Sequence, residues 1–148
     1  MTAAPAGFQI RSPKIFISHA SCDKWLARQI EREIRARGAE TFLDSQQIEH
    51  GDPFDLKIRE AAKECSEMLV LFTPTAFRRK YVWMEMGMFY LSGKRIVAAM
   101  YGVSKEDIAS DPEIPVFLKG IDSVELNDIE SYFGQLEHRV TEWRASNG

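Results

Sequence analysis

Several signatures that would assign a chemistry directly are missing from this chain. It has no G-x-G-x-x-G after its first predicted strand, which argues against a Rossmann dehydrogenase and hydride transfer. It has no G-x-x-x-x-G-K-[ST] and therefore no P-loop. It also lacks G-x-S-x-G, so the nucleophile of an α/β-hydrolase has no position.

Cysteine, excess charge and long apolar runs are scarce as well. Cys22 and Cys65 fit neither a zinc-ligand nor a C-x-x-C spacing, so we expect reduced thiols and no metal site. With 19 basic against 22 acidic residues, the net charge of −3 gives no basic footprint for nucleic acid. The sequence contains no apolar run long enough to cross a bilayer and no signal peptide. We therefore expect no membrane contact and a cytoplasmic domain, either alone or as part of a larger protein.

What the chain does contain is an alternation of short apolar strands and helical patterns. Residues 1–13 predict a flexible leader, and residues 14–145 a single domain. Strands are predicted at 14–18, 41–43, 68–72, 96–100 and 123–126, with helices between them and a last helix starting at an Asn127–Glu130 capping box. This order predicts an α/β fold: a flavodoxin-like three-layer sandwich whose five-stranded parallel sheet, ordered 2-1-3-4-5, is flanked by helices.

One charged residue, Glu85, interrupts the most apolar predicted helix, residues 81–91. A helix that is apolar on every face is normally buried between other elements, and burying a carboxylate without partners is costly. No cation stands three or four positions away on the same helix. Either a tertiary partner such as His19 or Arg95 makes Glu85 structural, or Glu85 is a functional acid.

The predicted topology gives Glu85 a place to act. Ligands of such sheets bind outside the carboxyl ends of the strands, at the switch between strands one and three. That rule gathers residues 18–21, Asp44 and residues 73–75 around one crevice, which Glu85 can face from the helix after strand three. The fold and the lone carboxylate therefore indicate the same site.

Four motifs follow one another along the chain: Ile15-Phe16-Ile17-Ser18-His19-Ala20-Ser21, Phe42-Leu43-Asp44, Gly51-Asp52-Pro53-Phe54 and Leu69-Val70-Leu71-Phe72-Thr73-Pro74. Each is weak alone, but their order and spacing are specific. Together they resemble a TIR domain (Toll/interleukin-1 receptor type), particularly the bacterial NAD+-cleaving kind, over residues 14–140. A phosphate-accepting receiver domain shares the fold, but Thr73 stands where that family carries an Asp.

The resemblance implies a catalytic residue and a substrate. TIR domains that cleave NAD+ use a Glu on the third helix, four residues after a Trp. On this sequence that Glu is Glu85, Tyr81 occupies the Trp position, and Trp83 is displaced by two. The implied activity is that of an NAD+ nucleosidase, hydrolase or cyclase, in a bacterial immune or toxin effector. NAD+ is then the substrate, with no cofactor, and the implied partners are other TIR domains and a fused or associated sensor domain.

A single carboxylate suffices for this chemistry. Cleaving the nicotinamide–ribose bond creates an oxocarbenium-like centre, which a carboxylate stabilises, traps covalently or holds through the ribose hydroxyls. Nicotinamide leaves as a neutral base, so no general acid is required. The alternative function is a non-enzymatic TIR–TIR adaptor, which has no use for a carboxylate inside an apolar helix.

Seven residues are candidates for substrate binding, and several have an equally ordinary structural role. His19 either contacts the nucleotide or hydrogen-bonds within its loop; Asp44 either binds a ribose or caps the next loop; Phe54 either stacks on adenine or packs in the core. The polar loop at residues 45–51 is long for a connection, and the resemblance implies that it completes the site of a neighbouring copy. We therefore expect activity to need self-association. The seven residues are Ser18, His19, Ser21, Asp44, Phe54, Tyr81 and Trp83.

Overall fold

The computed structural model describes residues 12–43 and 54–147, apart from the side chains of Phe54, Asp55 and Lys57. Within these residues five parallel strands form one sheet in the order β2-β1-β3-β4-β5, which confirms the predicted topology. The strands are β1 (Lys14–Ser18), β2 (Glu40–Leu43), β3 (Glu67–Phe72), β4 (Arg95–Met100) and β5 (Asp122–Glu125). The helices are α1 (Lys24–Ala36), α2 (Phe54–Glu64), α3 (Lys80–Leu91), α4 (Lys105–Ser110) and α5 (Glu130–Asn147).

The predicted leader, residues 1–13, lies outside the described residues except for its last two positions. The predicted domain end at residue 145 falls inside α5, which continues to Asn147. The start of α5 differs from the prediction, because residues Leu126–Asp128 form a 3-10 turn in place of an Asn127 cap. Glu130 pairs instead with Arg37 at 3.1 Å, which links the first turn of α5 to the end of α1.

Alternation along the strands divides the core into two layers. Phe16, Val70 and Ala98 point to the face covered by α2, α3 and α4. Ile17 and Leu69 point to the opposite face, which is covered by α1 and α5. Because successive strand residues face opposite sides, a sheet covered on both faces needs apolar residues throughout, and β3 is buried along its whole length.

The expectation that α3 is buried on every face is wrong. Val82, Glu85, Met86 and Phe89 are buried against the sheet, but Leu91 is 87% exposed and Met84 and Tyr90 are exposed as well. The sheet covers only one side of α3, and on the outer side the ring of Phe117 lies 4.9 Å from that of Tyr90. Exposed apolar side chains of this kind are candidates for contact with another surface. Even α3, with 12 residues, is too short for a membrane span, and no helix among the described residues is both long and apolar enough for one.

Candidate active site

Glu85 is completely buried on the side of α3 that faces the sheet. Ser18 is the last residue of β1 and is also fully buried, and its hydroxyl donates to Glu85 Oε1 at 3.0 Å. Ser18 follows the alternation of Phe16 and therefore points to the α3 face of the sheet. The strand period and the position of α3 thus bring these two side chains together at the carboxyl ends of β1 and β3.

The two residues expected as possible structural partners of Glu85, His19 and Arg95, lie in different places. Arg95 is exposed and is the first residue of β4. It therefore lies at the end of the sheet where the strands begin, opposite the end that carries the Ser18–Glu85 hydrogen bond. His19 follows Ser18 directly and is 4% exposed, so it is buried beside the site. A substrate can contact the Glu85 carboxylate only after neighbouring groups move, because the side chain has no exposed surface.

A hydrogen bond that the sequence did not predict anchors the loop carrying His19 and Ser21. Thr73, just after β3, donates through Oγ1 to Asp23 Oδ2 at 2.6 Å. The same hydroxyl accepts from the backbone N–H of Ala76 at 3.1 Å. Asp23 occupies the N-cap position of α1, where an Asp usually accepts from its own helix, but here its side chain makes no such bond. The loop after β1 is therefore held against the end of β3.

The two candidate aromatic residues of α3 have different environments. Trp83 is half-buried, and its Nε1–H donates to the carbonyl of Phe77 at 2.7 Å, which ties the turn Ala76–Arg78 to the helix. Tyr81 is half-buried one helical turn before Glu85, so both project from the same side of α3. Of the two rings, that of Tyr81 therefore lies on the side of α3 that carries Glu85.

The remaining candidates are only partly described. Ser21 is exposed in the 3-10 turn Ser21–Asp23. Asp44 and the loop at residues 45–51 lie outside the described residues, as does the Phe54 side chain, although α2 begins at Phe54. The structure thus joins Ser18 to Glu85, with buried His19 next to Ser18 in the chain and Tyr81 one turn before Glu85 on α3. Their contacts with substrate stay predictions.

Glu67 is the second buried acid, and its surroundings differ from those of Glu85. At the start of β3, its carboxylate accepts from Arg139 Nη2 at 2.8 Å and from the Tyr132 hydroxyl at 3.3 Å. Burial, and then the nearby Glu67 charge, raise the pKa of Tyr132 well above its ordinary value. This is a structural ion pair that joins β3 to α5. In the part of the chain that the structure describes, no cluster of three His, Cys, Asp or Glu side chains is placed to hold a metal ion.

Comparison with known proteins gives consistent relationships. Residues 15–138 match the TIR domain family. BdTIR of Brachypodium distachyon, a probable 2′ cyclic ADP-D-ribose synthase, is 27% identical over 97 residues, which are 64% of this chain and 43% of that protein. The TIR domain of the Toll-related receptor TRR-2 from Hydra magnipapillata superposes with a TM-score of 0.61 at 18% identity, covering 88% of this chain and 97% of that one. The CMP N-glycosidase BcmB of Clostridium botulinum gives a TM-score of 0.55 at 15% identity, covering 84% and 98%.

These comparisons carry different weight. The chain spans less than half the length of the curated relative that it matches. The two solved structures are so distant in sequence that their likeness shows the shared fold alone. The family match extends from β1 into α5 and so covers most of the chain. The protein belongs to the TIR domain family.

Proposed function

We propose that this protein cleaves the nicotinamide–ribose bond of NAD+, with Glu85 as the catalytic carboxylate. The observation that carries the proposal is the burial of Glu85 at the carboxyl ends of β1 and β3, with Oε1 held by the Ser18 hydroxyl at 3.0 Å. In proteins with this sheet topology, ligands bind at that position. The name of the BdTIR relative, a probable cyclic ADP-ribose synthase, supports the same substrate class.

The chemistry follows from the charge that forms during cleavage. The bond between nicotinamide N1 and ribose C1′ breaks, both electrons leave with nicotinamide, and positive charge develops at C1′. Glu85 stabilises that charge, and Ser18 fixes the orientation of the carboxylate before the reaction begins. Water, or a nucleophile of the ADP-ribose itself, then adds to C1′ and any proton released passes to solvent. The products are linear or cyclic accordingly.

The closed position of Glu85 explains why we expect a single chain to have low activity. With no exposed surface on Glu85, the neighbouring groups must move before NAD+ reaches it. We propose that self-association triggers this movement. A neighbouring chain would also cover the apolar side chains that α3 exposes, which are Met84, Tyr90 and Leu91. Contacts that join two different surfaces head to tail are heterologous. They build an open filament, unless the rotation between successive chains closes them into a ring.

Self-association has a test that does not depend on finding its natural signal. Specific activity should rise with protein concentration. A sharper test mixes two inactive chains, one Glu85→Ala and one with Ile48, Glu49 and His50 replaced by Gly. If a neighbour's loop completes the site, some pairs unite an intact Glu85 with an intact loop, and activity partly returns. A mixture as inactive as its components, at concentrations where wild type works, would show that one chain builds the whole site.

The second candidate function is a non-enzymatic adaptor that acts through TIR–TIR contact. The observation in its favour is the same burial, because a buried carboxylate that accepts a hydrogen bond inside the protein can serve structure alone. The two candidates separate when the purified protein is incubated with NAD+ and free nicotinamide is measured by chromatography. Release by wild type and by Glu60→Gln, an exposed acid on α2, but not by Glu85→Gln, supports the enzyme. No release from wild type in its assembled state supports the adaptor.

A further inference from the structure

A cavity of about 590 Å³ lies at the end of the sheet where the strands begin, opposite the end that carries Glu85. It is formed where β3 and β4 begin and where the last turns of α5 pass over them. Volumes of this size are typical of sites that hold small organic ligands. A smaller cavity of about 190 Å³ adjoins it, and Arg95 and Arg139 line both.

The buried acid of this cavity, Glu67, is already paired with Arg139. Glu67 accepts from Arg139 Nε at 3.2 Å and from Nη2 at 2.8 and 2.9 Å, and also from the Tyr132 hydroxyl at 3.3 Å. The Nη1 group of Arg139 takes no part in these bonds. A buried carboxylate paired in this bidentate manner has little capacity left for another cation.

The neighbouring base, Arg95, is differently placed. Glu67 and Arg95 are partners in the register of β3 and β4, so their side chains start from the same face of the sheet. Arg95 is exposed and forms no ion pair within residues 12–43 and 54–147. Glu142 also lines the cavity, and its exposed carboxylate lies 3.1 Å from His138 Nε2. Asp122, also exposed, lines the smaller cavity. The N–H donors that Glu67 does not occupy are therefore those of Arg95 and Nη1 of Arg139.

The rest of the lining suits an organic group. Pro13, Trp143 and Ala145 give apolar surface, and Ser66 and Ser146 add hydroxyls, which donate to the backbone carbonyls of Lys14 and Glu142. A ligand with a flat or apolar body and one anionic group would place that group against Arg95 and Nη1 of Arg139. Guanidinium groups bind carboxylates and phosphates through paired N–H donors, and such charge-assisted bonds are among the strongest in proteins.

We propose that this cavity is a second ligand site, which binds a small organic anion carrying a carboxylate or a phosphate. Arg95 supplies the charge, and Arg139, held in place by Glu67, supplies the second set of donors. The site is separate from the Ser18–Glu85 site and does not rest on NAD+ cleavage. Its occupant would bridge β4 and α5.

Titration calorimetry on the full chain tests the proposal with three probes of similar size: phenyl phosphate, benzoate and neutral benzyl alcohol. We expect at least one of the anions to bind at one site per chain and benzyl alcohol not to bind. Which anion binds more tightly identifies phosphate or carboxylate as the preferred group. Arg95→Gln should weaken binding of the anion by about tenfold or more, the scale for one charge-assisted bond.

Two control variants keep the result interpretable. Arg32→Gln removes an exposed arginine of α1 that does not line the cavity, and it should leave binding unchanged. Glu85→Gln should also bind the anion as wild type does, which separates this site from the proposed catalytic one. The proposal is overturned if neither anion binds at millimolar concentration, if benzyl alcohol binds as tightly as the anions, or if Arg95→Gln and Arg32→Gln behave alike.

Discussion

Replacing Ser18 by Ala tests whether the hydrogen bond to Glu85 is as strong as its geometry indicates. Both side chains are fully buried, and the hydroxyl donates to the carboxylate at 3.0 Å. A hydrogen bond to a charged group contributes about 1.5–3 kcal/mol. Ser18→Ala should therefore lower the free energy of unfolding by that amount, which for a domain of this length lowers Tm by roughly 3–12 °C.

The assay is urea unfolding followed by circular dichroism at neutral pH, with the slope against urea unchanged. Ser92→Ala is the matched control, because that exposed hydroxyl donates only to the Met88 carbonyl of its own helix, and its cost should stay within about 0.5 kcal/mol. Introducing Ser18→Ala into Glu85→Gln should cost less than in wild type, with a coupling of about 0.5–3 kcal/mol. Equal costs in the two backgrounds, or a cost no larger than that of Ser92→Ala, would refute the reasoning.

Three further predictions concern other parts of the fold. Thr73→Val removes the hydroxyl that holds Asp23 and should cost about 1–3 kcal/mol in urea unfolding, whereas Thr73→Ser should recover most of it. Lys94→Met removes an ammonium that donates to carbonyls at the end of α2 and should cost about 1–3 kcal/mol, against no measurable change for exposed Lys105→Met. Burial raises the pKa of Cys65 from 9.0 to about 12, so the unfolded thiol ionises first and stability should fall as pH rises from 9 to 12. Cys65→Ala should make that fall shallower; an unchanged pH dependence would contradict this cause.

The sequence predicted the fold and the burial of Glu85 because both depend on local patterns. Strand and helix periods are readable over a few residues, and the alternation of elements leaves few topologies for a five-stranded parallel sheet. The same patterns failed for the outer side of α3. Apolar composition indicates that exposing a helix is costly, but it does not reveal whether another layer of the protein exists to cover it.

Contacts between distant residues are what the sequence could not predict. The predicted strand 68–72 does not include Glu67, and the arginine that makes the burial of Glu67 tolerable stands 72 positions later. The Thr73–Asp23 bond joins residues 50 positions apart, and an Asp before a helix is ordinarily interpreted as a cap. In both cases the partner is determined by how the strands are ordered in space, and only the folded arrangement brings the groups together.

The most direct test of the central claim is the rate of nicotinamide release from NAD+ at a protein concentration where the wild-type chain is assembled. Glu85→Gln keeps the shape of the side chain and removes its charge, and it should lower that rate by at least ~10²-fold, the scale for losing one electrostatic stabiliser. The exposed-acid control Glu60→Gln should release nicotinamide at the wild-type rate. Circular dichroism should show the same fold in all three proteins. A folded Glu85→Gln protein that releases nicotinamide as fast as wild type would contradict the account.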